Sequence, residues 1–150
     1  MSDLSDLYQE VILDHNRRPR NWGSLADATR TAEGFNPLCG DRLKLHVRID
    51  GDRVAGIAFE GSGCAISKAS ASLMTDAVKG KTLGEALDLF DRVHIMLTTP
   101  IDEAVDEAAV GKLAVLAGVR EFPTRVKCAS LAWHTLKSAI TASPEVAKTE

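Results

Sequence analysis

Hydrophobic and polar positions divide the chain into a strand-rich part that follows one helix and a longer helical part. Apolar residues at helical spacing over 3–15 predict a first amphipathic helix. Strict alternation over 43–49 predicts a strand, and the turn signal at 50–52 leads to a returning strand at 54–60. A weaker pattern at 29–35 adds a third strand. The three strands predict an antiparallel meander with one solvated face.

From residue 64 onward the pattern becomes helical. Small residues dominate 65–79, and Thr82 with Glu85 forms a capping box that begins the next helix. Pro100 ends that helix, and a short helix is predicted at about 112–117. Pro123 precedes a last helix at 125–142.

This order of elements predicts the α+β class, as a three-stranded antiparallel meander packed on one side by about five helices. We expect one domain over residues 1–150, with a disordered tail from about 143. At 150 residues and 45% apolar composition, the chain is large enough to bury a core without disulfides.

Charge and hydropathy exclude several classes of protein. A net charge of −3 gives no general attraction to nucleic acid. No apolar run approaches the roughly 18 residues that a membrane span needs. The acidic N-terminus does not resemble a secretory signal, so we expect a cytoplasmic protein whose three cysteines are reduced thiols, kept for reactivity or metal binding.

Cys39 lies in a turn-rich stretch just before the second predicted strand. In extended backbone, positions i and i+2 point the same way, so Cys39 and Asp41 can present a thiolate and a carboxylate to one point. Gly40 allows the backbone to bend between them.

Cys64 and Cys128 lie close to predicted helix starts. Gly63 allows a tight reversal before Cys64, and Lys68 lies one turn further along that helix. Cys128 follows the start of the last helix and has Arg125 and Lys127 beside it. Helix N-termini and nearby cations both favour thiolate over thiol.

If the three thiols converge with Asp41, they form a set of three sulfur ligands and one oxygen ligand. This set suits zinc or iron and argues against magnesium or calcium. Three thiolates and one carboxylate around a divalent metal leave a net charge of −2, which the cations Lys68, Arg125 and Lys127 are placed to offset. The carboxylate is the hardest of the four ligands, so the site is expected to be exchangeable.

Four motifs follow one another from about residue 4 to residue 140. They are Leu7-Tyr8 to Asp14-His15 with Arg18-Pro19, Asn36-Pro37 with Cys39-Gly40-Asp41, Gly61-Ser62-Gly63-Cys64-Ala65-Ile66-Ser67, and Arg125-Val126-Lys127-Cys128-Ala129 with Leu131-Ala132-Trp133. Together they resemble the U-type (NifU/IscU-like N-terminal domain) iron–sulfur scaffold family. Lys127 stands where IscU-type scaffolds carry a histidine, and the extra segment at 97–120 is also similar to the SufU branch.

The SufU resemblance implies a function in iron–sulfur cluster assembly. It implies a zinc ion held by Cys39, Asp41, Cys64 and Cys128, and a SufS-type, pyridoxal-phosphate-dependent cysteine desulfurase as partner, with other Suf assembly proteins further along. Cys39 is then the persulfide acceptor, which makes the protein sulfurtransferase-like rather than a conventional turnover enzyme. Arg125 and the basic residues near the N-terminus are candidates for docking.

Three alternatives remain open. The same residues can scaffold a transient iron–sulfur cluster, because zinc loss frees ligands that also suit iron. A cysteine hydrolase using Cys64 lacks a clearly paired histidine, since His15 and His94 are expected on helix surfaces and His46 on the solvated sheet face. A purely structural zinc domain is disfavoured, because such sites usually contain closely spaced cysteine pairs.

Overall fold

The structure is a computed structural model that describes residues 3–142 and 147–148 of the chain. Its α-helices are α1 (Asp3–Arg17), α2 (Ala65–Val78), α3 (Leu83–Thr98), α4 (Glu107–Val110) and α5 (Pro123–Ile140). Its strands are β1 (Arg30–Asn36), β2 (Asp41–Asp50), β3 (Arg53–Ser62) and β4 (Ala147–Lys148). A run of 3₁₀ turns at Gly111–Glu121, called the 3₁₀ segment below, joins α4 to α5.

The sheet is the predicted antiparallel meander with one short addition. Its strand order is β3-β2-β1-β4, and β4 pairs with β1 in parallel. Leu45 pairs with Ala32 on one side and with Phe59 on the other, and all three side chains are buried. The alternate residue Lys44 is exposed. The alternation that predicted the strands therefore separates a core face from an outer face.

The helices cover the core face of the sheet. Helix α5 lies against β1 and β2, and α2 lies against both β3 and α5. Trp133, Leu131 and Leu136 of α5 are at most 2% exposed. Each such side chain contributes about 1.5–3 kcal/mol through burial. This packing fixes the start of α5 beside the end of β1, where Cys128 and Asn36 meet. The α+β prediction is confirmed.

The predicted helix starts agree with the structure. Thr82 accepts a hydrogen bond from the Glu85 amide while the Glu85 carboxylate accepts one from Thr82, so the capping box is present. Pro123 occupies the first position of α5. There the missing proline N–H costs nothing, because the first amides of a helix have no partner within it.

The segment between α3 and α5 is more ordered than the predicted short helix at 112–117. The 3₁₀ segment buries Leu113, Leu116 and Val119 against the core. The Arg120 guanidinium donates hydrogen bonds to four backbone carbonyls, those of Ala117, Thr99, Pro100 and Glu103. This one side chain joins the loop after α3 to the 3₁₀ segment.

Two histidines differ from their predicted surface positions. His15 is 8% exposed because α1 packs on α2, where its Nδ1 lies 2.7 Å from the Ser72 hydroxyl. His46 is 7% exposed, although it alternates onto the outer face, and it contacts the Glu60 carboxylate at 3.2 Å. The surface prediction is wrong at both positions: α2 packs over His15, and the Glu60 side chain on the neighbouring strand β3 contacts His46.

The tail predicted to be disordered lies mostly outside the described residues, which omit 143–146 and 149–150. Ala147 and Lys148 pair with Gly34 and Phe35 of β1. For the unplaced remainder, disorder stays a prediction.

In the described parts of the chain, no helix is long and apolar enough to cross a membrane. Helix α5 has 18 residues, but it carries Arg125, Lys127 and Lys137.

Candidate metal centre

The four predicted ligands lie at neighbouring element ends. Cys39 is in the turn between β1 and β2, and Asp41 is the first residue of β2. Cys64 immediately precedes α2 as its N-cap, and Cys128 lies in the second turn of α5. Cys39 and Cys64 are exposed, whereas Cys128 is 2% and Asp41 0% exposed. The site is therefore buried at its inner end, at Asp41 and Cys128, and open to solvent at Cys39 and Cys64.

Three of the four ligands form a tight group. One ligand atom each from Cys39, Asp41 and Cys128 lies within 4.8 Å of the others. The Cys128 and Cys39 sulfurs are 3.4 Å apart. Residues separated by 89 positions in the sequence thus supply adjacent sulfurs, because α5 packs beside the β1–β2 hairpin.

Cys64 adjoins this group through its backbone. Its amide N–H donates to Asp41 Oδ1 at 2.9 Å. Its sulfur accepts a hydrogen bond from the Ser67 amide at 3.4 Å and so caps α2. The Cys64 sulfur is not part of the 4.8 Å group, although it is close enough to affect the titration of Cys128. Its role as a fourth ligand therefore stays a prediction.

Asn36 is a site residue that the sequence analysis did not identify as such. It is 0% exposed, and its carboxamide donates to Asp41 Oδ2 at 3.1 Å and to Cys128 Sγ at 3.4 Å. Its own Oδ1 accepts from the Leu38 amide at 3.3 Å. Its position directly before the Cys39 turn could have indicated a role in the site. Its hydrogen-bond partners, however, lie 5 and 92 residues away in the sequence.

Two glycines shape the backbone around the carboxylate. Gly40 has φ of +76°, which lets the turn reverse between Cys39 and Asp41. Gly63 has φ of +155°, and a Cβ at this position would collide with the Asp41 side chain. The predicted need for glycine at both positions therefore has two different causes, a backbone turn and a close approach.

The pKa of the Cys128 thiol is raised, mainly by burial and then by hydrogen bonding with Asp41, Cys39 and Cys64. The sequence predicted the opposite shift from the helix start and the neighbouring cations. That prediction is wrong for the metal-free chain, because burial of the sulfur and its carboxyl and thiol neighbours outweigh the helix start and the cations.

The three predicted cations surround the site unequally. The Lys68 ammonium lies 4.7 Å from the centre of the Trp22 ring, and Lys68 is not among the residues that line the groove containing the thiols. The exposed Arg125 guanidinium lies 4.5 Å from the Phe122 ring. Arg125 also lines the groove that contains the thiols. Lys127 is half-buried, with no hydrogen bond or ion pair described for it among the placed residues. Arg125 is therefore the cation best placed to meet a molecule in the groove.

An open groove of about 790 Å³ leads to the thiols. The 3₁₀ segment and the start of α5 line one wall, and α1 lines the other. Three large apolar side chains along it are exposed, with fractions of 43% for Leu13, 53% for Ile101 and 44% for Phe122. Apolar surface beside a reactive group indicates a place where another molecule binds.

The donor set fits a borderline-soft divalent metal. Two thiols and one carboxyl converge, and zinc and iron both bind donors of these two kinds. The raised pKa of Cys128 shows that the chain alone does not stabilise the thiolate. A bound divalent cation would reverse this, since metal coordination deprotonates thiols.

Comparison with known proteins agrees with this geometry. The NifU-like N terminal domain family matches residues 7–129. The chain belongs to this family. It is 46% identical over 140 residues to the iron–sulfur cluster assembly scaffold protein IscU of Streptococcus pyogenes serotype M1, covering 93% of this chain and 86% of the relative.

A second relative carries the other function name found in this family. The zinc-dependent sulfurtransferase SufU of Bacillus subtilis is 42% identical over 140 residues, which cover 93% of this chain and 92% of that protein. Among solved structures, FiSufU from Fervidobacterium islandicum AW-1 superposes with a TM-score of 0.80 at 36% identity. That match covers 87% of this chain and 94% of the other. The α+β fold and the SufU/IscU resemblance predicted from sequence are both confirmed.

Proposed function

We propose that this protein is a zinc-dependent acceptor of persulfide sulfur in iron–sulfur cluster assembly. The observation that carries the proposal is the ligand group itself, in which an exposed Cys39 adjoins a buried Cys128 and a buried Asp41. The membership of the NifU-like N-terminal domain family and the likeness to SufU support it.

We assign the metal to Cys39, Asp41 and Cys128, with Cys64 as the fourth ligand. Zinc in proteins prefers four ligands and accepts both sulfur and carboxylate oxygen. When bound, zinc would keep the thiols deprotonated and protected. The chain supplies the rest: Asp41 is held by two N–H donors, and Cys128 is held in a packed helix.

The sulfur-transfer step needs no external oxidant. The Cys39 thiolate attacks the terminal sulfur of a persulfide, R–S–SH, on the donor protein. A new S–S bond forms to Cys39 while the donor's S–S bond breaks. The electron pair of the broken bond leaves with the donor sulfur as R–S⁻, and the proton stays on the transferred sulfur. Exposure of Cys39 in a turn suits it to meet a large donor.

The donor is a protein, which we take to be a pyridoxal-phosphate-dependent cysteine desulfurase of the SufS type. The thiol groove is open and apolar, and Leu38 beside Cys39 is 57% exposed. Exposed apolar side chains around an open groove, with polar groups such as Arg125 among them, suit the surface of a partner protein. Arg125 at the groove is a candidate residue for docking the desulfurase. Other Suf assembly proteins are candidate partners in the later steps.

The deciding experiment measures metal, labile sulfide and desulfurase stimulation in freshly purified protein. We expect about one zinc per chain, as a four-ligand site holds one ion, and no sulfide. Cys39→Ala should abolish stimulation of the desulfurase while the protein stays folded. Protein without zinc, or stimulation that survives Cys39→Ala, would contradict the proposal.

A second candidate function is assembly of a transient iron–sulfur cluster on the same ligands. It is favoured by the donor set, which suits iron as well as zinc. Several relatives are named as scaffolds, including that of Streptococcus pyogenes. Iron with equimolar sulfide after anaerobic reconstitution, lost in Asp41→Ala, would favour this candidate.

The hydrolase interpretation finds no support in the site. The Cys64 sulfur accepts a hydrogen bond from the Ser67 amide rather than meeting a base. The contacts described for the histidines involve Ser72, Glu60 and the Phe90 ring, and no placed cysteine. A cysteine nucleophile without a neighbouring base is weakly activated.

A further inference from the structure

The Asn36 carboxamide is shared between two members of the ligand group. A primary amide has two N–H donors, and here one points at Asp41 Oδ2 and the other at Cys128 Sγ, at 3.1 and 3.4 Å. Its oxygen accepts from Leu38 N, and its backbone carbonyl accepts from Gly40 N at 2.8 Å. All the hydrogen-bonding capacity of this buried side chain is directed at the site and its turn.

The sulfurs differ in the N–H donors that reach them. Cys128 accepts from Asn36, and Cys64 accepts from the Ser67 amide. For Cys39, the contacts described within the placed residues include no N–H donor, only the neighbouring Cys128 sulfur. Among the placed residues, Cys39 is thus the one cysteine whose sulfur has no N–H donor described.

This difference affects both position and reactivity. An N–H donor fixes the orientation of a metal ligand and withdraws electron density from a thiolate. A thiolate without such a donor is more nucleophilic. It can also leave the metal without breaking a hydrogen bond to the protein. The same amide that retains Cys128 and Asp41 therefore directs exchange towards Cys39.

We propose that Asn36 is the positioning residue that makes Cys39, rather than Cys128, the ligand that is released to accept sulfur. This inference rests on the proposed zinc site. It assigns to Asn36 no contact with the donor and no part in the bond-making step.

The test compares zinc-loaded Asn36→Ala and Asn36→Asp with the unchanged chain. Asn36→Asp keeps an oxygen that can accept from Leu38 N but loses both N–H donors, whereas Asn36→Ala loses all side-chain bonds. Three quantities are measured: zinc affinity against a chelator, the visible spectrum of the cobalt-substituted protein, and the order in which N-ethylmaleimide labels each cysteine, mapped by mass spectrometry.

In the unchanged chain we expect Cys39 to be labelled well before Cys128. In both variants zinc affinity should fall about 10–100-fold, the range typical for loss of a hydrogen bond to a metal ligand. The cobalt spectrum should shift, and the share of label on Cys128 should rise. A shift in Asn36→Ala alone would mean that Asn36 only supports the turn, and it would overturn the inference.

Thr135→Val provides the matched control, because it removes another fully buried hydrogen bond, from Thr135 Oγ1 to the Leu131 carbonyl at 2.7 Å. It should leave zinc affinity and labelling order unchanged. Thermal unfolding identifies any variant that is not folded. If the unchanged chain binds no zinc, the proposed function fails. If it binds zinc and both Asn36 variants match it, only the role of Asn36 fails.

Discussion

Cys39 and Cys128 place the same functional group 3.4 Å apart in opposite surroundings. Cys128 projects from the longest helix, is 2% exposed and accepts an amide N–H. Cys39 lies in a glycine-containing turn, is exposed and has no such donor among the placed residues. The contrast teaches that, under the proposed function, the packed helix would hold one ligand in place while the short turn would let the other leave the metal.

The sharpest test of this division compares Asp41→Ala with Cys39→Ala. Removing the Asp41 carboxylate leaves one N–H of the buried Asn36 amide and the part-buried Cys64 amide N–H without their acceptor, so the free energy of unfolding should fall by about 1–3 kcal/mol and zinc should be lost. Cys39→Ala should abolish sulfur acceptance but change stability by no more than about 0.5 kcal/mol. Urea unfolding of the metal-free proteins measures both changes. Equal stability losses would contradict the division.

Gly63→Ala tests how closely the framework is fitted to the carboxylate. Its Cβ would displace the Asp41 side chain, and the backbone has positive φ, so a loss of about 1–3 kcal/mol is expected. Zinc affinity should fall about tenfold or more. Calorimetry of the unfolding and of zinc binding measures the two effects.

Gly84→Ala is the matched control for that change. Its Cβ would have only an ordinary contact, with Thr82 Oγ1 at 4.0 Å, and it lies in helix α3. Alanine should stabilise this helix by up to about 1 kcal/mol and leave zinc affinity unchanged. If Gly63→Ala lowers neither the free energy of unfolding nor the zinc affinity, the close fit around Asp41 contributes to neither.

The smallest expected effect is a dependence of folding stability on pH that comes from the packed helices and not from the Cys39 turn. Burial, followed by the charge of Arg20, lowers the pKa of His15 below its ordinary value of 6.5. The unfolded chain then binds more protons than the folded chain. The contribution of His15 to folding stability is therefore fully present above about pH 6.5 and is lost as the pH falls. The lowered pKa of His134 acts in the same direction.

Unfolding of the metal-free protein at pH 7.5 and pH 5.5 measures this dependence. We expect lower stability at pH 5.5 and a smaller difference between the two values in His15→Gln. A Cys39→Ala background should leave the dependence unaltered. A dependence that vanished in Cys39→Ala would place the titrating group in the turn instead.

Much of the fold was predictable because its signals are local. Alternation over β2, the Thr82 capping box and Pro123 each depend on neighbours within a few residues. The nearness of Cys39 and Asp41 was predictable because they are two residues apart, but the structure achieves it through a turn in which Gly40 has φ of +76°, and not through the extended backbone that the prediction assumed.

The remaining features depend on contacts that the sequence does not specify locally. Helical spacing placed Lys68 one turn from Cys64, but the Trp22 ring, from a loop beside β3, attracts its ammonium group. The predicted direction of the Cys128 pKa shift was wrong because the helix start and the nearby cations were considered without the burial of the sulfur. The double role of Asn36 required knowing that α5 packs against the end of β1.

Arg120 determines how freely the wall of the groove can vary in sequence. Within the described part of the chain, the hydrogen bonds of its guanidinium all go to main-chain oxygens, those of Thr99, Pro100, Glu103 and Ala117. Thr99 and Glu103 contribute their carbonyls, and not their side chains, to these bonds. Substitutions there that keep the backbone path should therefore leave the Arg120 hydrogen bonds in place, together with the loop that carries Ile101 to the groove.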